Sequence, residues 1–546
     1  MYPIEIVLTM LLAVLASSYL VRVLPFPLPL PLPLVQIALG AVIAGGFNHG
    51  VALDPAIFFL LFLPPLLFLD GWRIPKDGLF HDKITILELA LGLVVFTVVG
   101  AGFLIHWLIP AMPLAVAFAL AAIISPTDPI AVSAIAARAP IPRRLMHILE
   151  GESLLNDASG LVCFRFAVAA AMTGSFSLAD ASVTFLWLAL AGLAIGIGFT
   201  LGVSFAQVWL SRHFGEDVGA PILMSLLIPF GAYLVAEYVE ASGILAAVAA
   251  GITMSYVELS GRAQASTRMQ RTAVWDMLQF TLNGIMFVLL GEQLPGILQR
   301  AVVAVEQSGH LSPWWLVVYT LVITIVLAGL RYAWVWTSLR LTLLRARYRG
   351  EQRTEPNRRL IIATSLAGVR GAITLAGVLT LPLLLPDGTP FPARDLAVFL
   401  AAAVILLSLL LASVALPRIL EGLEVPAEPA RQREEDHARR EAADAAIAAI
   451  EKARHDLPYQ ADDADVYAGV AAHLIDLYQR RVDDGVLSDV EAEELHRADR
   501  AERTLRLVGL RAERERIFNL ARTSQISDEM SRKLVREIDL MESRYR

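Results

Sequence analysis

The sequence has few charged residues and almost no cysteine for a chain of 546 residues. Only 18% of its residues are Asp, Glu, Lys or Arg, against about 25% in a typical soluble chain. Its one cysteine, Cys163, excludes an intrachain disulfide and a cysteine-based metal cluster. The net charge of −7 gives no basic excess for a nucleic-acid partner. What remains is apolar, because 56% of the residues are hydrophobic and the mean hydropathy is +0.60, which favours a membrane protein.

The charged residues are concentrated towards the C-terminus. Residues 421–546 hold 50 of the 97 charges (21 basic, 29 acidic), and the first 420 residues hold 24 basic and 23 acidic ones. This division predicts a transmembrane domain over 1–420, a polar linker over 421–440 and a cytoplasmic helical domain over 441–546. Amphipathic patterns predict tail helices over 439–454, 466–481, 489–507 and 527–544. Regulation, pH sensing, dimer contact or binding of a cytoplasmic partner all fit such a region.

Apolar stretches that can cross the hydrocarbon core, about 20 residues each, recur through the first 420 residues. We predict about thirteen spans, centred near residues 14, 38, 62, 97, 124, 160, 195, 229, 249, 285, 326, 371 and 408. Loops rich in Lys and Arg alternate with loops that have few, which assigns the basic loops to the cytoplasm. With an odd number of spans, the N-terminus lies outside and the tail inside. The first span lacks a basic n-region and a cleavage site, so we interpret it as a retained helix.

The fifth span contains the sequence Ser125-Pro126-Thr127-Asp128-Pro129 at membrane depth. Two prolines three residues apart interrupt a helix, because each lacks an amide proton and clashes with the preceding turn. Lipid cannot satisfy the backbone groups that such a break leaves without partners. In transporters, broken helices of this kind place backbone carbonyls and helix ends at an ion site near the bilayer midplane. A simple proline kink, with Asp128 near the interface, is the alternative.

The sixth span opens with a group of polar residues on one helical face. Ser153, Asn156, Asp157 and Gly160 follow the i, i+3, i+4, i+7 spacing, and Glu152 lies beside them. Carboxylate, amide and hydroxyl oxygens are hard ligands that suit a small, hard cation. A carboxylate partly withdrawn from water can hold a proton or a cation, and this competition is the chemistry of exchange. A helix-capping region is the alternative.

Two further constellations contain ionisable residues. Arg370 in the twelfth span needs a buried acidic partner, for which we predict Glu152, and Gly368 and Gly371 beside it permit local unwinding. Asp70 ends the third span and either lines the approach to the site or marks the helix end. Six other polar residues in the spans are predicted to be interhelical ties: Glu88, Arg165, Glu237, Asn283, Glu292 and Arg331.

These motifs resemble those of monovalent cation/proton antiporters of the CPA1 type, the family of NhaP-like proteins and Na+/H+ exchangers. The resemblance covers about residues 5–420 and depends on Ser-Pro-Thr-Asp-Pro, Gly-Glu-Ser-x-x-Asn-Asp and Gly-x-Arg-Gly-Ala in that order. It implies an all-α membrane fold in the cell membrane. Thirteen helices would form two inverted six-helix repeats around a linking seventh, with unwound helices five and twelve crossing. It also implies a homodimer that works by alternating access, with no cofactor beyond the transported ions.

The resemblance also implies a role for each matching residue. Asp157 would bind the cation or the proton, with Ser153 and the backbone at Thr127 as further ligands, and Asn156 would fix the site. Asp128 would offset the positive ends of the half-helices, and Glu152 would pair with Arg370. Asn at position 156, where electrogenic relatives have a second Asp, implies one cation exchanged for one proton. Leu69 intervenes before Asp70, a departure from the family pattern that leaves the part of Asp70 in the ion path open.

The function that we expect is electroneutral Na+/H+ exchange, with Li+ as a surrogate and K+ as the rival substrate, serving pH and Na+ homeostasis. A membrane protease is a different class, and the chain has neither His-Glu-x-x-His nor Gly-x-Ser-x-Gly. A channel or sensor that binds cations without exchanging them is a third class. Strict coupling of cation flux to proton flux separates that class from an antiporter.

Overall fold

The structure is a computed structural model of the full chain. It describes residues 3–23, 31–47, 55–74, 86–128, 132, 143–174, 178–215, 219–259, 265–307, 313–348, 358–421, 429–456, 464–483, 489–523 and 525–545. The chain divides into two compact units, Met1–Val425 and Pro426–Arg546. The division falls inside the predicted linker, and helix is already present from Pro429 onwards.

Helices dominate the first unit, as the hydropathy predicts. In chain order they are α1 (Pro3–Val23), α2 (Leu32–Phe47), α3 (Pro55–Arg73), α4 (Val94–Leu108, preceded by a π-helical turn Glu88–Leu93), α5 (Leu114–Ile124), α6 (Arg143–Thr173), α7 (Leu178–Phe214), α8 (Gly219–Tyr238), α9 (Gly243–Leu259), α10 (Ala265–Gln307), α11 (Trp314–Tyr348), α12 (Arg358–Leu366), α13 (Ala372–Leu379) and α14 (Arg394–Leu420).

Each predicted span centre falls on one of these helices or on a break between two of them. Among the described residues, eight helices are long and apolar enough to cross a membrane. Shorter apolar helices cover Leu32–Gly45, Leu114–Ile124 and Gly243–Leu259. The all-helical membrane fold is therefore confirmed, whereas the count of thirteen spans remains a prediction.

The helices of the first unit pack as two groups. One group joins α1, α2 and α3 to α7–α10, and the other joins α4, α5 and α6 to α11–α14. Glycine permits the closest approach within the first group, because a Cβ at Gly40 or Gly291 would collide with a backbone carbonyl of the facing helix. Helices α3 and α10 contact the second group mainly through α6, α11, α13 and α14, and the most extensive of these contacts is α10 against α14, so residues near these helices lie where one group meets the other.

Both predicted interruptions are present. Helix α5 ends at Ile124, immediately before Ser125 and Pro126, and the chain continues without helix to Asp128. Residues 367–371 separate α12 from α13, so the Gly368-to-Gly371 segment is unwound as its glycines predict. The two breaks lie at similar depths in the second group, and α5 packs against α13.

The second unit is also helical in its described residues. Its helices are α15 (Pro429–Asp456), α16 (Ala464–Asp483), α17 (Asp489–Arg522) and α18 (Asp528–Tyr545). They pack in pairs, α15 against α16 and α17 against α18. Arg514 bridges the second pair by contacts with Asp539 and Glu542, and these carboxylates raise its pKa. The four predicted tail segments are all helical, and the first and third helices extend beyond the predicted bounds.

Candidate functional site

The two helix breaks satisfy each other's backbone groups. The amide of Asp128 donates to the Val369 carbonyl at 2.7 Å, and Arg370 Nε donates to the Ile124 carbonyl at 2.9 Å. Gly371 is required here, because a Cβ at this position would collide with the Asp128 side chain. Polar backbone that leaves a helix in an apolar surrounding must find partners within the protein. Each break provides those partners for the other.

A cavity lies beside this crossing and contains most of the predicted site. Its polar lining comes from five helices or breaks and consists of Asp70, Thr127, Asp128, Ser153, Asp157, Asn283 and Thr374. Asp157 is only 7% exposed and lies one helical turn after Ser153 on α6, as the spacing predicts. The charged groups that act most strongly on Asp157 are the carboxylates of Asp128 and Asp70. The cavity therefore brings together three acidic side chains and two hydroxyl-bearing ones of the predicted set.

A second layer of predicted residues lies behind the cavity. Asn156 Nδ2 donates to Thr127 Oγ1 at 3.0 Å, and Thr127 Oγ1 donates to Glu152 Oε1 at 3.2 Å. Asn156 and Glu152 are both almost completely buried. This chain of hydrogen bonds fixes the break of α5 against the polar face of α6. The Thr127 hydroxyl is thus engaged with both Asn156 and Glu152.

The structure corrects the predicted partner of Glu152. Arg331 of α11, not Arg370, holds this carboxylate, with Nη1–Oε1 and Nη2–Oε2 distances of 2.5 and 2.6 Å. The two side chains are 3% and 1% exposed, so the pair is buried and bidentate. Arg331 Nε also donates to the Thr364 carbonyl at 3.0 Å, which ties α11 to the last turn of α12.

Arg370 has backbone partners instead of a carboxylate bond. Besides the Ile124 carbonyl, it donates through Nη1 to the Gly368 carbonyl. The last carbonyls of a helix have no intrahelical partner and carry the negative end of the helix dipole. Arg370 therefore neutralises the C-terminal end of α5 at the crossing, which is the physical reason why it lies away from Glu152.

Sequence reasoning missed part of the site. Asn283 and Arg331 were assigned only as interhelical ties, yet Asn283 lines the cavity and Arg331 holds Glu152. No sequence signal distinguishes the two arginines, because both are single cations in apolar spans. The π-helical turn before α4 was also not predicted. Its Ala90 carbonyl accepts a bond of 2.6 Å from Ser159 Oγ, two residues beyond Asp157, and such turns are frequent near functional sites.

Three of the remaining predicted interhelical ties contact a residue on another helix. Arg165 on α6 contacts Glu237 on α8 at 3.4 Å, and Glu88 accepts a bond of 2.7 Å from Ser338 on α11. Both are therefore ties between helices. Asp70, predicted either to line the approach to the site or to mark a helix end, lines the cavity and lies close to the end of α3.

The arrangement can bind one small cation or one proton. Asp157 offers a carboxylate, Ser153 a hydroxyl, and the break at Thr127 a backbone carbonyl, all of them hard oxygen ligands. A buried carboxylate in an apolar region is costly unless a cation or a proton neutralises it. The two ligands would compete for the same group.

Comparison with known proteins gives a consistent result. The sequence model of the family described as "Sodium/hydrogen exchanger, transmembrane" matches residues 7–422. The chain is 42% identical over 544 residues to YjcE of Escherichia coli K12, a protein named as an uncharacterized Na+/H+ exchanger, with 98% of each chain covered. It is 38% identical to a sodium, potassium, lithium and rubidium/H+ antiporter of Bacillus pumilus, over 98% of this chain and 77% of the relative.

A solved structure supports the fold. The sodium proton antiporter MjNhaP1 of Methanocaldococcus jannaschii at pH 8 aligns with a TM-score of 0.57 and 17% identity. The alignment covers 77% of this chain and 99% of MjNhaP1. At this identity the likeness concerns the fold alone.

The corrected ion pair gives a prediction that separates the two arginines. Glu152→Arg or Arg331→Glu alone should strongly destabilise the protein, since breaking a buried pair costs about 3–5 kcal/mol. The double reversal Glu152→Arg/Arg331→Glu should recover part of the loss. The matched control, Glu152→Arg/Arg370→Glu, should recover none. Thermal unfolding of purified protein in detergent measures both, and equal recovery in the two doubles would disprove the assignment.

Proposed function

The chain belongs to the sodium/hydrogen exchanger family and is a transmembrane cation/proton antiporter, not an enzyme, and we propose that it exchanges Na+ for H+ at Asp157. The observation that carries this proposal is the cavity where the Asp157 carboxylate meets the break of α5. Ser153 and the backbone of Thr127 complete the ligands of the cation. Asp128 balances the positive ends of the half-helices, and Asn156 and Glu152 hold the break in place.

Exchange follows from competition at one buried carboxylate. With Asp157 ionised, the site binds a cation; when Asp157 takes a proton, the cation is released. The site changes sides only when neutralised, because moving a bare carboxylate through an apolar region is costly. Either ligand adds one positive charge, so one cation replaces one proton and no net charge moves. Asn156 supports this count, since it places a neutral amide beside Asp157.

The proposed substrates are Na+ and Li+, with K+/H+ exchange as the second candidate. The Bacillus relatives named as sodium, potassium, lithium and rubidium/H+ antiporters favour this alternative, and the one from Bacillus subtilis is 43% identical over 425 residues. Oxygen ligands bind either ion, and the size of the cavity selects between them. Such exchange would serve pH and Na+ homeostasis.

The proposed transport movement displaces one helix group against the other. The group that carries α5, α6, α12 and α13 would shift relative to the group that carries α3 and α10, exposing the cavity on alternate faces. We also propose the thirteen-span, inverted-repeat topology with the N-terminus outside and the C-terminal unit inside, and a homodimeric assembly. Packing is more extensive within each helix group than between the two groups, which supports the division into two moving parts.

The central prediction concerns Asp157. In liposomes carrying a pH gradient, Asp157→Asn should reduce the gradient collapse caused by Na+, Li+ or K+, each tested separately across pH, to background. Asp70→Asn should raise the KM for the cation several-fold with kcat little changed, because it removes attraction on the approach. Asp387→Asn is the matched control, an exposed carboxylate in a turn. Wild-type exchange in Asp157→Asn would refute the proposal.

The stoichiometry has its own test. For one-to-one exchange, net flux stops when the cation ratio across the membrane equals the proton ratio, whatever the membrane potential. We therefore expect the null point in liposomes to stay at equal ratios when a potential is imposed. A null point that moves with potential would show that charge is transported, and Asn156→Asp is the variant in which we would look for such a movement.

The C-terminal unit is proposed to regulate exchange or to bind a cytoplasmic partner. It is compact by itself, and residues 421–546, which include it, carry 29 acidic against 21 basic residues. Deleting residues 426–546 should leave exchange in place and shift its pH–activity profile, measured in the same liposomes. Superimposable profiles of full-length and truncated protein would argue against pH regulation by this unit.

A further inference from the structure

Three packed helices carry exposed arginines at one end of the membrane unit. Arg340 lies on α11, Arg358 and Arg359 open α12, and Arg418 lies near the end of α14; all four are exposed. We call these four residues the arginine cluster. Helix α11 packs against α12 and α14, and α12 packs against α14. The cluster lies outside the ion site, and the proposed exchange makes no use of it.

Hydrogen bonds set the register of these helices. Arg359 Nη1 donates to the Glu421 carbonyl at 3.5 Å, and the Arg370 amide donates to Ser408 Oγ at 3.1 Å. Helices α12 and α14 are therefore antiparallel, with Arg359 beside the end of α14. Helix α11 joins α12 through a short connection, which makes them antiparallel neighbours, and Arg331 lies level with Thr364. The four arginines thus lie at the same end of the unit.

The depth of the cluster matches the headgroup region of a bilayer. Arg418 follows Ser408 by ten residues, or about 15 Å of helix at 1.5 Å per residue. Half of the hydrocarbon core is also about 15 Å, and ion sites of broken-helix transporters lie near the midplane. Arg340 lies over the Trp336 ring, 5.5 Å from its centroid. Tryptophan at this depth is typical of the membrane–water interface.

Arginine at this depth is suited to phosphate. The guanidinium group binds phosphate oxygens through two parallel hydrogen bonds and is more weakly hydrated than an ammonium group. A general preference for basic loops on one face explains isolated cations there. It does not explain why three helices that pack against one another all carry arginine at the end where α12 begins, the half-helix that leads to Arg370 at the crossing.

We propose that the arginine cluster binds the headgroup phosphate of an anionic lipid. The bound lipid would hold the first turn of α12 against α11 and α14. Because α12 also contacts Arg331 and leads to the crossing, lipid binding would stabilise the arrangement of the breaks. The proposal depends on the membrane-spanning fold and not on Asp157, so failure of the exchange mechanism would leave it standing.

The test measures binding of a defined lipid to the full-length protein. Phosphatidylglycerol added to protein in neutral detergent should raise the thermal unfolding midpoint, whereas phosphatidylcholine should not. Native mass spectrometry should show retained phosphatidylglycerol. Each arginine changed to Gln should weaken this binding about fivefold, and Arg340→Gln/Arg358→Gln/Arg359→Gln/Arg418→Gln should abolish the thermal shift.

A control variant removes the same charge elsewhere. Arg511, Arg516, Arg532 and Arg536 are exposed residues of the C-terminal unit, and changing all four to Gln should leave the shift unchanged. If the quadruple cluster variant does not fold, Arg358→Gln/Arg418→Gln provides the comparison. An unaltered shift in the cluster variant would overturn the proposal. So would equal stabilisation by phosphatidylcholine, or a full shift with inorganic phosphate alone, which would indicate a phosphate site without lipid.

Discussion

The fold of the site depends on the exchange of hydrogen bonds between two broken helices. A helix that stops inside an apolar region leaves peptide groups that lipid cannot satisfy. Here the Asp128 amide finds the Val369 carbonyl, and the Ile124 carbonyl finds Arg370. Neither break is stable alone, so the two must form together. The polar residues of α6 can then be held at a defined distance from backbone oxygens. In a continuous helix these oxygens would accept intrahelical hydrogen bonds.

The two buried arginines stabilise this crossing at different points. Arg370 neutralises carbonyls at the helix ends, and Arg331 neutralises Glu152 while holding α12. Both guanidinium groups therefore interact with structural groups behind the cavity. The charged groups that dominate at Asp157 are instead two more carboxylates, Asp128 and Asp70. Such a cluster of carboxylates is consistent with the proposed binding of a small cation.

Much of this arrangement could be predicted from the sequence, because lipid imposes strict rules. Prolines on both sides of Thr127 predict the break in α5, and the spacing of Ser153, Asn156 and Asp157 predicts their common face. The partner of Glu152 could not be predicted, since pairing depends on how α11 rotates about its axis, and an apolar helix gives no periodic signal for that rotation. The position of Asn283 at the cavity could not be predicted for the same reason, because it depends on how α10 rotates about its axis. The π-helical turn Glu88–Leu93 accepts a hydrogen bond from Ser159 through Ala90, and no sequence motif predicts such a turn.

The charges around the cavity bear on both the binding and the release of a cation. In the proposed exchange, three carboxylates around a small space attract cations, and a metal cation and a proton both carry the charge that they attract. Na+, Li+ and K+ each carry one positive charge, so net charge alone does not discriminate among them. If Asp157 binds the cation as proposed, the spacing of the neutral oxygens, namely the Ser153 hydroxyl and the backbone at Thr127, would contribute to the selection. Hydrogen bonds from Asn156 to Thr127 and from Thr127 to Glu152 hold the break at Thr127, so under the proposed mechanism cation preference would be coupled to the stability of the Glu152–Arg331 pair.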